Sequence, residues 1–359
     1  MTRSLILGTV SVFGLTTAAN ADVPVVVADI PPVHSLVAKV MDGLGSPVLL
    51  VKPGASPHGY SLRPSEAASL DKADVVFWIG EGLEPWLEGP LEALAANAQK
   101  VELAEVDGAI ELPFREGATF EKHSQDHDEE GHDDHHDEEG HDDHDHSGSD
   151  PHAWLDPENA RVWLSVIAAE LSEHDPGNAD TYRANAEAGR AELSALIDRI
   201  SGELEPFRDT NFIVFHDAYQ YFENRFDIPA AGSITLGDAT DPSPARIEEV
   251  HDKIKELGAT CAFAEPQFNA DLVETVFRGA DAKIGIMDPL GTKLELGPNL
   301  YPRLIANLSA VVIVDQKRLF GGPRSTVGTI TDIGDWLRML WSRGVTPTIG
   351  FANAFSFND

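Results

Sequence analysis

The sequence predicts an α/β protein of two lobes, each built on a parallel sheet flanked by helices, with one long helix joining them. Three observations carry this expectation. The chain has 359 residues and 42% hydrophobic content, enough for two substantial cores. In both halves, short apolar runs of strand length alternate with helical stretches, the pattern of a parallel sheet. Between the halves lies a single stripe of Tyr182, Ala186, Gly189, Leu193, Leu196, Ile200 and Leu204 at helical spacing, ending near Pro206. At 1.5 Å per residue that helix is roughly 38 Å long. Such a rod limits hinge motion between lobes.

The N-terminus carries Arg3, an apolar run from Leu5 to about Leu15, and the small-residue pattern Ala19-Asn20-Ala21. Residues 1–21 therefore read as a secretory signal, with Asp22 as the mature start. The run falls short of the ~20 apolar residues that span a bilayer, so no membrane insertion is expected after cleavage. No cysteine stands at the cleavage point to take a lipid. The first lobe, residues 22–177, then places strands at Val25 to Ala28, Leu49 to Val51, Val75 to Ile79 and Val101 to Leu103. Helices are expected from Pro31 to Met41, from Pro64 onward, and from Leu83 to Ala96.

Within this lobe, residues 121–149 form a low-complexity insertion. From Glu121 to His146 there are thirteen acidic residues against one lysine, and a nine-residue unit repeats in tandem, DEEGHDDHH then DEEGHDDHD. With no apolar residue to bury, the segment is expected to stay disordered without metal. Its eight histidines, His123, His127, His132, His135, His136, His141, His144 and His146, can bind transition metals weakly and at several places. The plain alternative is a solvated linker.

Asp150-Pro151-His152-Ala153-Trp154-Leu155-Asp156-Pro157 follows at once. Asp156 suits a helix N-cap and Pro157 the first helical position, so His152 is fixed at a helix entrance. That helix is expected to run to about His174, where Asp175-Pro176-Gly177 stops it. After the linking helix (178–206), the second lobe (207–318) repeats the alternation. Strands at Phe212 to Phe215, Thr260 to Ala264 and Ile284 to Met287 end in His216-Asp217, Glu265-Pro266-Gln267 and Asp288-Pro289, with helices from Pro244 to Leu257 and Ala270 to Arg278 between them. In the extension, 319–359, Ile333, Trp336, Leu337, Leu340 and Trp341 can form one apolar helix face, packed by default on the second lobe.

The formal net charge of −34 excludes nucleic acid and anionic membrane as partners, since both demand a basic face. Cations are the natural ligands. Lone Cys261 lies in an apolar run, so no internal disulfide can form, and it is expected to be a buried small hydrophobe. His58, His152 and His216 each stand at a junction of strand or loop and helix. A rigidly held neutral imidazole is the commonest transition-metal ligand, and three of them with a fourth group suit tetrahedral Zn²⁺. Asp288 is the best candidate for that fourth group, and mixed imidazole and carboxylate ligation favours zinc over manganese. Taken singly, each histidine has a capping or core role as an equal alternative. His34, His174 and His251 keep that role.

Five stretches together make the chain resemble a known family: GASPHGYSLRPSE around His58, DPHAWLDP around His152, FHDAYQYF around His216, AEPQF at Ala264 to Phe268 and DPLG at Asp288 to Gly291. They closely resemble the ZnuA-type zinc-binding components of bacterial zinc ABC importers, over roughly residues 25 to 312. The resemblance implies two four-stranded lobes, a periplasmic location, and a metal held by His58 and His152 of the first lobe with His216 and Asp288 of the second. It implies a membrane permease of an ABC importer as partner; a monomer is expected, and the charge speaks against a nucleic-acid partner. Manganese-binding relatives carry a carboxylate at the position of His216, so histidine there favours zinc. Gly59 stands where many relatives have an acidic residue, and Pro57 where some zinc members place a carboxylate that reaches the ion. Asp288 or water then remains for the fourth position. The lone Cys261 departs from relatives with a disulfide in the second lobe, and the extension from about Leu319 passes the usual family end.

The leading functional expectation is a binding protein, not an enzyme, that captures Zn²⁺ and delivers it to a permease, binding more weakly well below about pH 6 as its histidines protonate. One alternative is a zinc buffer or chaperone acting through the histidine-rich repeat. Another is a zinc hydrolase, since three histidines with an open position also describe catalytic zinc, although no HExxH pair is present.

Overall fold

The computed structural model describes residues 23–115, 148–235, 261–268 and 283–316, with single positions at 245, 247, 248, 252 and 256. The expected signal (1–21), most of the histidine-rich insertion, the helix over 270–278, most of that over 244–257 and the extension (319–359) lie outside the described residues. The chain divides into two compact units that are not contiguous in sequence. The first gathers Met1–Pro113, Gly148–Leu196 and Leu290–Arg303, and the second gathers Phe114–Ser147, Ile197–Pro289 and Leu304–Asp359.

In the first unit, β1 (Val26–Ala28), β2 (Val48–Leu49), β3 (Val75–Trp78) and β4 (Gln99–Glu102) form a parallel sheet in the order β2-β1-β3-β4. β1 and β3 are central and buried along their length, as continuous apolar runs in a two-faced sheet require. α1 (Pro31–Val40) starts with two prolines, whose missing N–H groups cost nothing in a first turn. α2 (Pro64–Leu70) starts on Pro64, and Glu66 reaches back to accept the Arg63 backbone N–H at 2.8 Å. The helix expected from Leu83 to Ala96 is shorter, with α3 covering Glu88–Leu94. Residues Gly80 to Leu87 instead form consecutive turns, with Leu83 and Glu84 N–H on the Gly80 carbonyl and Leu87 N–H on the Glu84 carbonyl.

α4 (Pro157–His174) is capped by Asp156, whose side chain accepts the Glu158 N–H at 2.8 Å. α5 (Ala179–Leu204) is the long helix, 26 residues, and the boundary between the units falls within it after Leu196. Its close approach to α4 and α1 needs Gly189. A Cβ there would lie 2.9 Å from Leu164 Cδ1 and 3.2 Å from Lys39 Cγ. Trp154, Trp163 and Tyr182 are fully buried nearby in sequence, and side chains of this size contribute about 1.5–3 kcal/mol each on burial.

The second unit has the same plan. β5 (Phe212–His216), β6 (Gly232–Thr235), β7 (Cys261–Ala264) and β8 (Lys283–Ile286) form a parallel sheet in the order β6-β5-β7-β8. β6 was not expected from the sequence; Gly-Ser-Ile-Thr has too little apolar content to register as a strand. α6 (Gln220–Phe226) ends on Asp227 in the left-handed conformation (φ 55°), and α7 (Leu300–Gln316) begins in the first unit and passes into the second. Cys261 is buried in β7 with a free thiol. Each sheet thus presents strand ends followed by polar residues, where ligands of open α/β sheets gather.

Candidate metal centre

Each site histidine is positioned by a different local device. His58 lies in the loop between β2 and α2, half-buried. Its neighbours are tied down: Trp86 donates its indole N–H to the Pro57 carbonyl at 2.6 Å, and the Tyr60 hydroxyl donates to Glu66 Oε1 at 3.0 Å. The Tyr60 and Trp86 rings sit 5.6 Å apart. The α2 capping arrangement therefore fixes the loop on its C-terminal side and Trp86 fixes it beside the histidine itself.

His152 is buried, 5% exposed, just before the single turn Ala153–Leu155 that leads into α4. Asp150 Oδ1 accepts both the His152 backbone N–H at 3.0 Å and the ring Nδ1–H at 2.7 Å. Asp150 N–H in turn bonds the Leu112 carbonyl at 2.7 Å, and Pro113 pairs with Ser149 across the base of the insertion. The His58 and His152 rings lie 5.2 Å apart, centre to centre, tilted by 48°. The first unit thus brings together two histidines almost a hundred residues apart in sequence.

His216 ends β5 in the second unit and is 3% exposed. Its Nδ1 lies 2.6 Å from Glu265 Oε1. The pairing follows from sheet register: Phe212 stands opposite Cys261 and Val214 opposite Phe263, so the same offset sets His216 beside Glu265 just past β7. Phe268 closes the ring on another side at 5.5 Å.

A carboxylate at Nδ1 makes that nitrogen the proton carrier and leaves Nε2 with its lone pair, the tautomer a metal takes. His152 and His216 both have a carboxylate oxygen at Nδ1. Sequence reasoning noted Glu265 only as a polar strand end; the missing signal was the register that pairs it with His216. Asp288 lies two residues beyond β8 in the second unit, half-buried. Of the remaining histidines, His34 is buried with Nε2 3.2 Å from the Pro47 carbonyl, and burial lowers its pKa below the ordinary value, in keeping with a core role. His174 ends α4. His251 and the eight insertion histidines lie outside the described residues.

Beside His216, Asp217 is engaged by Arg115. The guanidinium Nε lies 3.0 Å from each Asp217 oxygen, Nη2 also bonds Asp217, and Nη1 and Nη2 reach Glu223 at 2.7 and 3.0 Å. Burial alone would lower the Arg115 pKa, but the charges and bonds of Glu223 and Asp217 outweigh it and hold the pKa above the ordinary value. Asp217 is thereby committed to Arg115.

Comparison with known proteins agrees with this arrangement. Residues 26–312 match the family described as zinc-uptake complex component A, periplasmic. The chain is 48% identical over 299 residues to the high-affinity zinc uptake system protein ZnuA of Brucella abortus, covering 79% of this chain and 89% of that one. It is 42% identical over 296 residues to the Paracoccus denitrificans protein of the same name, covering 81% and 91%. Among solved structures it is similar to a ZnuA crystal structure (27% identity, TM-score 0.65, covering 81% and 97%). It is also similar to a zinc-bound ZnuA lacking residues 138–173 of its own numbering (25% identity, TM-score 0.66, covering 83% and 99%). Two parallel four-stranded sheets and a match running through nearly all the described residues place this chain in the ZnuA family of periplasmic zinc-uptake components.

Proposed function

We propose that the protein captures Zn²⁺ in the periplasm through His58 and His152 of the first unit and His216 of the second, and delivers it to the permease of an ABC importer. The observation that carries this reading is the pair of buried histidines whose Nδ1 atoms are tied to carboxylates, Asp150 and Glu265, leaving Nε2 for a metal. The names of the relatives, high-affinity zinc uptake system proteins, support zinc as the cargo. Three neutral imidazoles leave the ion its full charge. Asp288 is proposed as the fourth ligand, with water as the alternative. The periplasmic location rests on the family description and on the export signal read at residues 1–21. Among the described residues, no helix is long and apolar enough to cross a membrane. The protein acts as a monomer in this reading, and ion release follows when docking on the permease separates the ligands.

The test is a calorimetric titration with Zn²⁺ and Mn²⁺ of mature protein lacking residues 121–146, beside the same protein carrying His58→Ala, His152→Ala and His216→Ala together. One tight zinc site that disappears in the triple variant is expected. Absence of any tight site in the deleted protein would move the function to the repeat, making the protein a buffer, with His123, His127, His132, His135, His136, His141, His144 and His146 as its binders.

A further inference from the structure

A second pair of acidic side chains, separate from the histidines, lies at the carboxyl ends of β1 and β3. Asp29 follows β1 directly and Glu84 stands in the turns after β3; both are fully buried. Asp29 is filled with backbone donors, Ile30 N–H on Oδ1 and Ile79 N–H on Oδ2, each at 2.6 Å. Neither Glu84 oxygen meets an N–H or an alcohol O–H, and the group that acts on it is the Asp29 carboxyl. Two carboxyl groups bond to each other only with a proton between them. The donors on Asp29 favour its charge, so Glu84 is the protonated member.

The segment that Glu84 anchors touches both histidine-bearing stretches of the first unit. Trp86 bonds the Pro57 carbonyl beside His58. A Cβ on Gly82 would lie 3.7 Å from Pro151 Cβ, next to His152. At the other end Gly80 adopts φ 147°, and Glu102 Oε1 accepts the Glu81 N–H at 2.9 Å. We propose that the Asp29–Glu84 pair, joined by one proton, is a positioning element that holds Gly80 to Trp86 against the loops of His58 and His152 and thereby sets zinc affinity.

Burial pushes the Asp29 carboxyl up to about 7, and burial together with the Asp29 charge pushes Glu84 well above the ordinary range. Among the described residues, the titratable side chain acting on each member is the other member. Glu102, itself raised by burial, faces the start of the segment with Glu81, Glu88 and Glu105 around it. A carboxyl raised on folding stabilises the fold at low pH, and that contribution is lost as pH rises from the ordinary carboxylate range towards the raised value.

The inference rests on the zinc reading for its affinity arm alone. The experiment uses full-length protein, with the Trp86 indole N–H resonance assigned through Trp86→Phe. Glu84→Ala is expected to shift that resonance in metal-free protein and to lower Zn²⁺ affinity about tenfold, the low end for loss of a supporting partner. Glu84→Gln, whose amide replaces the carboxyl O–H as donor, is expected to restore both. Between pH 5 and 9 the unfolding constant of the natural protein should rise more steeply than that of Glu84→Gln, by up to about tenfold per pH unit. Asp29→Asn should destabilise more than Glu84→Gln, because its amide N–H faces the Ile30 or Ile79 donor. Equal damage from Glu84→Gln and Glu84→Ala, an unmoved Trp86 resonance in Glu84→Ala, or parallel pH slopes would each overturn the proposal. If Glu84→Ala does not fold, the pH slopes and the Asp29→Asn comparison still decide it. If the natural protein shows no tight zinc site, the functional reading fails while the resonance and the slopes still test the pair.

Discussion

His152 and His216 reach the same chemical state by opposite routes. In the first unit the carboxylate is two residues away, and Asp150 grips both the backbone and the ring of His152. In the second, Glu265 is 49 residues away and meets His216 only because β5 and β7 pair in one register. The local device survives any rearrangement that keeps a short turn intact. The tertiary one depends on a whole sheet. A slip of one residue between β5 and β7 would turn Glu265 to the opposite face.

The largest effect should come from the histidines themselves. Replacing His152 or His216 by alanine is expected to weaken Zn²⁺ binding by more than about 100-fold, beyond the usual cost of losing a supporting partner, as read by competition with a fluorescent chelator. Equal losses would place both in one site; a loss confined to one would break the symmetry of the comparison. Next come the carboxylates. Glu265→Gln should cost about 10–100-fold in zinc affinity, and Asp150→Asn less, since the asparagine oxygen still accepts the His152 backbone N–H. The reverse order would show that the local device is the more demanding one.

Acid should act in the same direction on both units. A bound metal requires neutral rings, so affinity measured from pH 7 down to 5 is expected to fall as protons compete for Nε2. An affinity flat across that range would remove histidine from the ligand set. The smallest effect concerns backbone rather than ligands. Gly80→Ala puts a Cβ at φ 147°, 2.3 Å from Glu102 Oε1, and should lower the stability of the first unit by about 1–3 kcal/mol in thermal unfolding, with zinc affinity changing only through that segment.

The sequence displayed what is local. The proline-led starts of α1, α2 and α4, the Asp156 cap and the long stripe of α5 are written in consecutive residues, and they appear where the pattern puts them. Four of the strands in the first unit and three in the second announced themselves as apolar runs, whereas β6 is too short and polar to do so. The stretch after β3 reads as helical from its leucines, yet Gly80, at φ 147°, opens a run of turns that reaches Leu87. What stayed hidden depends on register or on distant partners: Glu265 on His216 and Arg115 on Asp217. Each of these acidic or basic residues looks in sequence like one more charge in a chain of −34.

The inclusion of Leu290–Arg303 in the first unit has a consequence for biogenesis. The Ser35 hydroxyl donates to the Gly297 carbonyl across 262 residues of chain, and the Tyr301 hydroxyl donates to the Trp154 carbonyl across 147. During synthesis at about 5–20 residues per second, the stretch from Trp154 to Tyr301 takes roughly 7–30 s to emerge. Until then the first unit lacks a buried part of its own core, Tyr301 and Leu300 included. The first unit thus cannot complete its core until the segment Leu290–Arg303 has been made. Nascent chains arrested before Leu290 should remain protease-sensitive throughout that half, and resistance there at the same arrest point would show that it closes without its final segment.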